Sequence, residues 1–396
     1  MTEQQTQDRN FQTGNVVTIS LAHLSHDVFS SFLAPLLPLL ITRFGLSLSA
    51  VALLDITRKI PQLFNPLLGL LADRICVKYL VILAPTVTTI TMSLLGLAPS
   101  FPVLAGLLLI SGFSAATFHV PGPVLIKRYS GSNSARGMSF YMFGGELART
   151  LGPLLITAAI SWWGLSGSYR VLPLGLVASV LMFFKLRHLQ PQTNRPPVRS
   201  LFSGGGKWRP HVPLFVGLTG FMVFRMGLKL ALTLYLPTYL AGQGKTLWVA
   251  GAALSLLQFS GAIGTFGAGY VADHFGHRRS LLVISVLTPV AGVALTTTSG
   301  VLTIPLLIVA GFLLFASSPI QLALVQEAGT SRPAFFNSLL MTVNIITSAL
   351  AALFIGTLGD QVGLESAFRI AAGLTVLSVP FALLFPQNTR ARFDSV

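Results

Sequence analysis

GYVADHFGHRR occupies residues 269–279, and a shorter counterpart, GLLADR, occupies residues 69–74. The two copies lie 200 residues apart, and each closes an apolar run of membrane-spanning length. The apolar run after each copy begins at about the same offset. A chain that repeats a polar loop and its flanking greasy segments at half its length has been built from one unit used twice.

The composition sets the solvent in which that unit works. Of 396 residues, 53% are apolar and only 9% charged, against roughly a quarter charged in an ordinary soluble domain. Too little polar surface remains to cover a water-soluble body of this size. Apolar runs of about 20 residues recur from end to end, and no alternating ten-residue strands appear, which argues for helices and against a β-barrel. The formal charge of +15 does not form one soluble basic face, so a nucleic-acid partner is not expected. The lone Cys76 excludes an internal disulfide. The polar first fourteen residues lack the pattern of a cleaved signal peptide.

Twelve spans are expected, near 16–41, 48–71, 79–98, 102–126, 137–160, 170–186, 212–239, 247–271, 281–299, 301–325, 335–357 and 367–385. Between the sixth and seventh lies QPQTNRPPVRSLFSGGGKWRP (190–210), whose prolines, glycines and basic residues read as a linker. The organisation that follows is a tail (1–14), a six-helix bundle (15–189), the linker (190–210), a second six-helix bundle (211–386) and a tail (387–396). Lys and Arg in the loops divide seventeen to four in favour of the side holding both termini and the linker, which places that side in the cytoplasm. The expected location is the inner (plasma) membrane, multi-pass, with the chain monomeric. Duplicated bundles of this kind suit a transporter, with the substrate path between the halves near the midplane.

Charges inside the spans are unevenly placed, and each is costly enough to need a cavity or a partner. Helix 1 carries His23, His26 and Asp27; helix 2 carries Asp55, Arg58 and Lys59; helix 4 carries His119; helix 5 carries Glu146 and Arg149; helix 7 carries Arg225 and Lys229. Spans 3, 6, 9 and 12 carry none in their interiors, as VILAPTVTTITMSLLGLAP (81–99) illustrates. Every third helix is charge-free in both halves, the pattern expected if those four face lipid while the others surround a wet path. The interior holds five fixed cations against three carboxylates (Asp27, Asp55, Glu146). That surplus points to an anionic substrate of phosphate, phosphonate or carboxylate type. Candidate substrate contacts are Arg58, His119, Arg149, Arg225 and Lys229, with Gln321 and Asn344 as uncharged partners; Gln258 and Asn337 serve equally as helix-bridging groups.

Asp27 and His23 lie four apart on one helical face, whereas His26 is turned away from both. Asp27 is the leading proton-coupling candidate, with His23 to tune it and Glu146 as a second carboxylate. Arg149, three residues on, reads as the neutraliser of Glu146. Asp27 has no fixed cation on its own helix, which makes Arg225 of helix 7 its expected partner. Arg58 or Lys59 can equally pair with Asp55 along helix 2, and His119 can equally be a packing residue. No cofactor or metal is implied.

The duplicated loop resembles the signature loop of the major facilitator superfamily, complete in its second copy (Gly269, Asp273, Gly276, Arg278) and carrying Cys76 in place of a glycine in the first (Gly69, Asp73, Arg74). Within it, SLAHLSHD (20–27), FHVPGP (118–123) and GG…LGPLL (144–155) are similar to the fosmidomycin resistance protein family. The resemblance implies twelve helices in two pseudo-symmetric bundles and drug/proton antiport; the loop residues themselves read as a gate, their aspartates capping a helix or pairing with arginine in one conformation, or else as ordinary loop charges. Uptake of an organic anion suits the positive cavity equally. An intramembrane enzyme acting on lipid head groups through His and Asp is the remaining reading. The GQGKT stretch (242–246) fails as a nucleotide-binding loop, because Tyr239 stands where its first glycine belongs.

Overall fold

The computed structural model describes residues 11–65, 67–68, 77–131, 133–188, 211–327 and 333–386. These residues are helical almost throughout, and no strand occurs among them. The chain divides into two compact units, Met1–Gly45 with Ile56–Phe202, and Leu46–Asp55 with Ser203–Val396. The sequence division puts 46–55 with the N-terminal half; its contacts group it with the second unit.

In the first unit, α1 (Thr13–Ser30) is followed by α2 (Leu33–Phe44) after a pause at Ser31 and Phe32. Gly45 then turns the chain in the left-handed region at φ 59°, a conformation that suits glycine. Helix α3 (Leu48–Lys59) begins in the second unit and ends in the first, where a 3₁₀ turn (Ile60–Phe64) continues it. After α4 (Val77–Ser93) comes α5 (Phe101–His119), which stops where Pro121 and Pro123 of VPGP remove backbone donors. Helices α6 (Gly122–Tyr129), α7 (Ser134–Trp163) and α8 (Leu172–Leu186) complete the unit. Its core joins Val16, Ile19 and Ala22 of α1 to Phe118, Tyr129 and Tyr141.

The second unit holds α9 (Val212–Leu230), a π-helical turn (Ala231–Tyr235), α10 (Leu236–Gly242), α11 (Leu247–Phe275), α12 (His277–Thr297) and α13 (Thr303–Gln326). Helix α14 (Pro333–Leu374) is broken at Gly363 (φ 80°, ψ 157°) into two arms, and α15 (Ser378–Leu383) follows. Leu218, Phe221, Leu281, Ile284, Ala316, Leu324 and Phe385 form its core.

Nine helical stretches among the described residues are long and apolar enough to cross a membrane. The difference from twelve has particular causes. Spans 11 and 12 run together as Leu339–Leu383; span 2 is described only in part; and Glu146, Arg149 and the glycines of α7 dilute its apolar character. The outer surfaces suit a hydrocarbon solvent. Helix α12 exposes Val283, Val286, Leu287, Val290 and Val293, and α8 exposes Leu174, Val177, Leu181 and Phe184, each set at helical spacing. By contrast, the buried ionisable side chains among the described residues (His23, His26, Asp27, Asp55, Glu146 and Arg225) all fall on spans 1, 2, 5 and 7.

Candidate functional site

The first unit gathers a carboxylate and three imidazoles. Helix α7 makes this possible by lying against α1 on a glycine face. A Cβ on Gly144 would stand 2.5 Å from Ser20 O, one on Gly145 would stand 2.5 Å from His23 Cε1, and one on Gly152 would stand 2.4 Å from Val28 O. The GG…LGPLL pattern is therefore a packing requirement: any side chain at these positions pushes α7 off the histidine. The close approach lets His23 Nδ1 donate to the Tyr141 carbonyl at 2.7 Å and stack on the Tyr141 ring at 4.0 Å.

With Nδ1 so engaged, His23 Nε2 faces Asp27 Oδ2 at 3.3 Å. His119 Nε2 approaches Asp27 Oδ1 at 3.3 Å from the C-terminal end of α5, where helix carbonyls favour a positive or hydrogen-donating group. His26 Nδ1 lies 2.8 Å from Asp27 Oδ1. Its ring stacks on Phe118 at 4.7 Å, and its Nε2 is buried with no hydrogen-bond partner among the described residues. His23, His26 and Asp27 are buried, whereas the His119 side chain is 38% exposed. Two details go beyond helical spacing. Asp27 does find local partners, because neighbouring imidazoles stand in for the fixed cation its helix lacks. And His26, turned away on a helical wheel, reaches the adjacent carboxylate through its ring.

Glu146 and Arg149 are ion-paired along α7, the carboxylate buried and the guanidinium half-exposed. Glu146 Oε2 has no partner among the described residues. Arg58 donates to Ser30 O at 2.8 Å, which sets its charge against the carbonyl end of α1. Arg58 and the Asp27 cluster are thus anchored on the same helix, α1, one at its end and one three residues earlier.

The second unit forms a small recess lined by Met222, Arg225, Met226, Lys229, Leu314, Ser317, Ser318, Gln321 and Asn344. All four second-unit residues that the sequence offers as substrate contacts line it. Arg225 is buried and donates to Thr288 Oγ1 at 3.0 Å, Leu313 O at 3.0 Å and Ile284 O at 3.4 Å. Its guanidinium also lies 5.2 Å from the Phe221 ring centroid. Lys229 Nζ sits 4.6 Å from the Phe315 ring centroid. Within the second unit Arg225 is held by neutral acceptors from α12 and α13, and no carboxylate of that unit among the described residues forms an ion pair with it.

Of the loop residues, Gly69, Asp73 and Arg74 lie outside the described residues. In the second copy, Gly276 takes φ 90° between α11 and α12, a turn that favours glycine. Asp273 is exposed and Arg278 half-buried. A Cβ added at Gly269 would meet no described atom within 4 Å, so this glycine does not serve close helix approach within the described residues.

Sequence reasoning passes over two contacts. His277 Nδ1 lies 3.6 Å from Glu327 Oε2, tying the start of α12 to the end of α13. Asp360 caps the N-terminus of α3, accepting from Leu48 N at 2.6 Å and Ser49 N at 2.9 Å, while Tyr235 donates to Leu48 O at 3.0 Å. An acidic residue just beyond the expected end of span 11 is the available signal.

Long apolar helices with exposed hydrocarbon faces and a few buried, clustered charges define a multi-pass membrane protein. The chain belongs to the Major Facilitator Superfamily, whose family model matches residues 19–334. It is a transporter of that superfamily and not an enzyme, which sets aside the lipid head-group reading. It is 24% identical to the fosmidomycin resistance protein of Escherichia coli strain K12 over 385 residues, covering 95% of this chain and 93% of that one. It is 23% identical to the multi-drug resistance efflux pump PmrA of Streptococcus pneumoniae, covering 90% of each chain. Among solved structures, a bacterial homologue of the human lysosomal transporter Spinster, inward-facing and occupied, superposes with a TM-score of 0.76 at 16% identity, covering 95% of this chain and 96% of that one. A D-xylose-proton symporter does so with a TM-score of 0.72 at 13% identity, covering 96% and 99%.

Proposed function

We propose that this chain is a secondary active transporter that exports a small organic anion or drug across the inner membrane by alternating access of two six-helix bundles, coupled to protons. The observation that carries this reading is Arg225. A buried guanidinium held by neutral oxygens has no countercharge from those acceptors, and leaving such a charge uncompensated away from water is costly. An anion entering the recess beside Lys229, Gln321 and Asn344 supplies a countercharge. Arginine offers the geometry for carboxylate, phosphate or phosphonate oxygens.

Coupling falls to Asp27, with His23 beside it, because a buried carboxylate among imidazoles can exchange a proton without an irreversible charge imbalance. Glu146, already neutralised by Arg149, is the lesser candidate. The relatives named for fosmidomycin resistance and multi-drug efflux support export over uptake.

The test is flux in proteoliposomes. An imposed pH gradient should drive movement of phosphonates or carboxylates against the proton flow in wild type. Anion movement with the protons would turn the reading to symport and uptake, and flux indifferent to the gradient would end the coupling.

A further inference from the structure

Among the described residues, His23, Asp27 and His119 each offer a ligand atom, and these atoms all lie within 4.8 Å of one another. His23 Nε2 stands 3.3 Å from Asp27 Oδ2 and His119 Nε2 stands 3.3 Å from Asp27 Oδ1, so the two imidazoles approach opposite oxygens of one carboxylate. A tetrahedral first-row ion with bonds of about 2.0–2.1 Å holds its ligand atoms roughly 3.3–3.4 Å apart, so whichever oxygen ligates, one imidazole nitrogen already stands at that spacing from it and the other needs only a small shift.

The hydrogen bonds around the cluster point the same way. His23 Nδ1 donates to the Tyr141 carbonyl at 2.7 Å, which turns Nε2, the remaining ring nitrogen, toward Asp27 Oδ2. His26 donates its Nδ1–H to Asp27 Oδ1 at 2.8 Å, the outer contact that characteristically orients a ligating carboxylate. The His23 ring is clamped between Tyr141 and the backbone of Gly145, so its donor atom is held in place before anything binds. His119, the half-exposed member, stands at the end of α5 and is the side from which an ion would enter.

We propose that His23, Asp27 and His119 bind one divalent first-row transition cation of the Zn²⁺, Co²⁺ or Ni²⁺ type, with His26 as the positioning residue and the fourth position open. Two imidazoles and one carboxylate suit these borderline ions, whereas Mg²⁺ and Ca²⁺ take oxygen shells. The inference concerns equilibrium binding to the protein and does not depend on the transport reading, which flux alone decides.

The experiment uses the full chain, purified in detergent with any histidine tag removed. Co²⁺ is followed by its visible ligand-field absorption and Zn²⁺ by calorimetry. The expected result is one equivalent per chain, an intense tetrahedral Co²⁺ spectrum, displacement by Zn²⁺ and none by Mg²⁺. His119→Ala, at a half-exposed position, should keep the thermal transition of wild type and weaken binding at least about tenfold, and His26→Gln should weaken it about 10- to 100-fold. Asp27→Asn should remove the tetrahedral spectrum. Absence of Co²⁺ and Zn²⁺ binding to wild type, or binding of unchanged strength in folded His119→Ala, would overturn the proposal.

Discussion

His119 Nε2 stands 3.3 Å from Asp27 Oδ1 although the two residues belong to different helices, α5 and α1. The contact brings a half-exposed imidazole to a buried carboxylate. Substituting Asp27→Asn removes the exchangeable proton while keeping the size of the side chain. The expected outcome is loss of pH-gradient-driven accumulation with substrate binding and exchange retained. Full accumulation in this variant, measured in proteoliposomes, would exclude Asp27 as the coupling group.

The charge of Arg225 is predicted to set substrate preference. Arg225→Gln removes the charge, whereas Arg225→Lys keeps it and loses only the planar fork. Anion affinity should fall about 10- to 100-fold in the first variant, as for loss of a charge-assisted hydrogen bond, and by less in the second. Thermal-shift titrations with phosphonates, carboxylates and lipophilic cations read this directly. Equal binding of lipophilic cations to wild type and Arg225→Gln, with no anion response in either, would remove the anionic class.

Gly145 is expected to tolerate no side chain. A Cβ there would meet the His23 ring at 2.5 Å, and the ring is fixed by its bond to the Tyr141 carbonyl. Gly145→Ala should cost about 1–3 kcal/mol through overpacking. A lowered thermal transition checks this, and an unchanged one would mean that α7 can slide outward freely.

Asp273 lies exposed at the end of α11, away from the recess that holds Arg225 and Lys229. Asp273→Asn should therefore slow turnover while leaving substrate affinity nearly unchanged, since a group remote from the ligand acts by shifting populations of states. Separate measurement of binding and flux distinguishes this from damage at the site, which would weaken binding as well.

How far the sequence can be read depends on whether a contact is local. The pair Glu146–Arg149 and the His23–Asp27 spacing are helical neighbours, so counting residues finds them. The recess residues Arg225, Lys229, Gln321 and Asn344 stand out as polar groups on apolar helices, and that cost argument holds regardless of tertiary detail. His119 is legible as an unusual residue but its approach to Asp27 is not, because it depends on how α5 meets α1. The same limit explains Arg225. Its charge is plain in the sequence, but its acceptors include the carbonyls of Ile284 and Leu313, and backbone carbonyls carry no residue signature. His26 escapes for a subtler reason: a helical wheel describes Cβ directions, and an imidazole is long enough to swing back to the adjacent side chain.

Asp360 marks the far end of that scale, since the residues it caps are 312 and 311 positions away. Its two carboxylate oxygens accept from Leu48 N and Ser49 N, satisfying donors that the first turn of α3 leaves without intrahelical partners. The negative charge also sits at the positive end of the helix. Gly356, one turn earlier on α14, lets the segment come close; a Cβ there would stand 2.6 Å from Leu48 O, the same carbonyl that accepts from Tyr235. Three residues of the second unit thus grip the start of α3. Asp360→Ala should cost about 0.5–2 kcal/mol, as for loss of an N-terminal cap, and Asp360→Asn, which keeps one acceptor oxygen, should cost less. Tyr235→Phe should add a smaller loss, and the combined variant should show less than the sum because all three bonds hold one turn of helix. If alternating access requires this grip to be released, Asp360→Ala should also speed labelling of a cysteine placed at Ser49. Faster labelling with an unchanged thermal transition would assign the cap to conformational balance, and unchanged labelling with a lowered transition would assign it to stability alone.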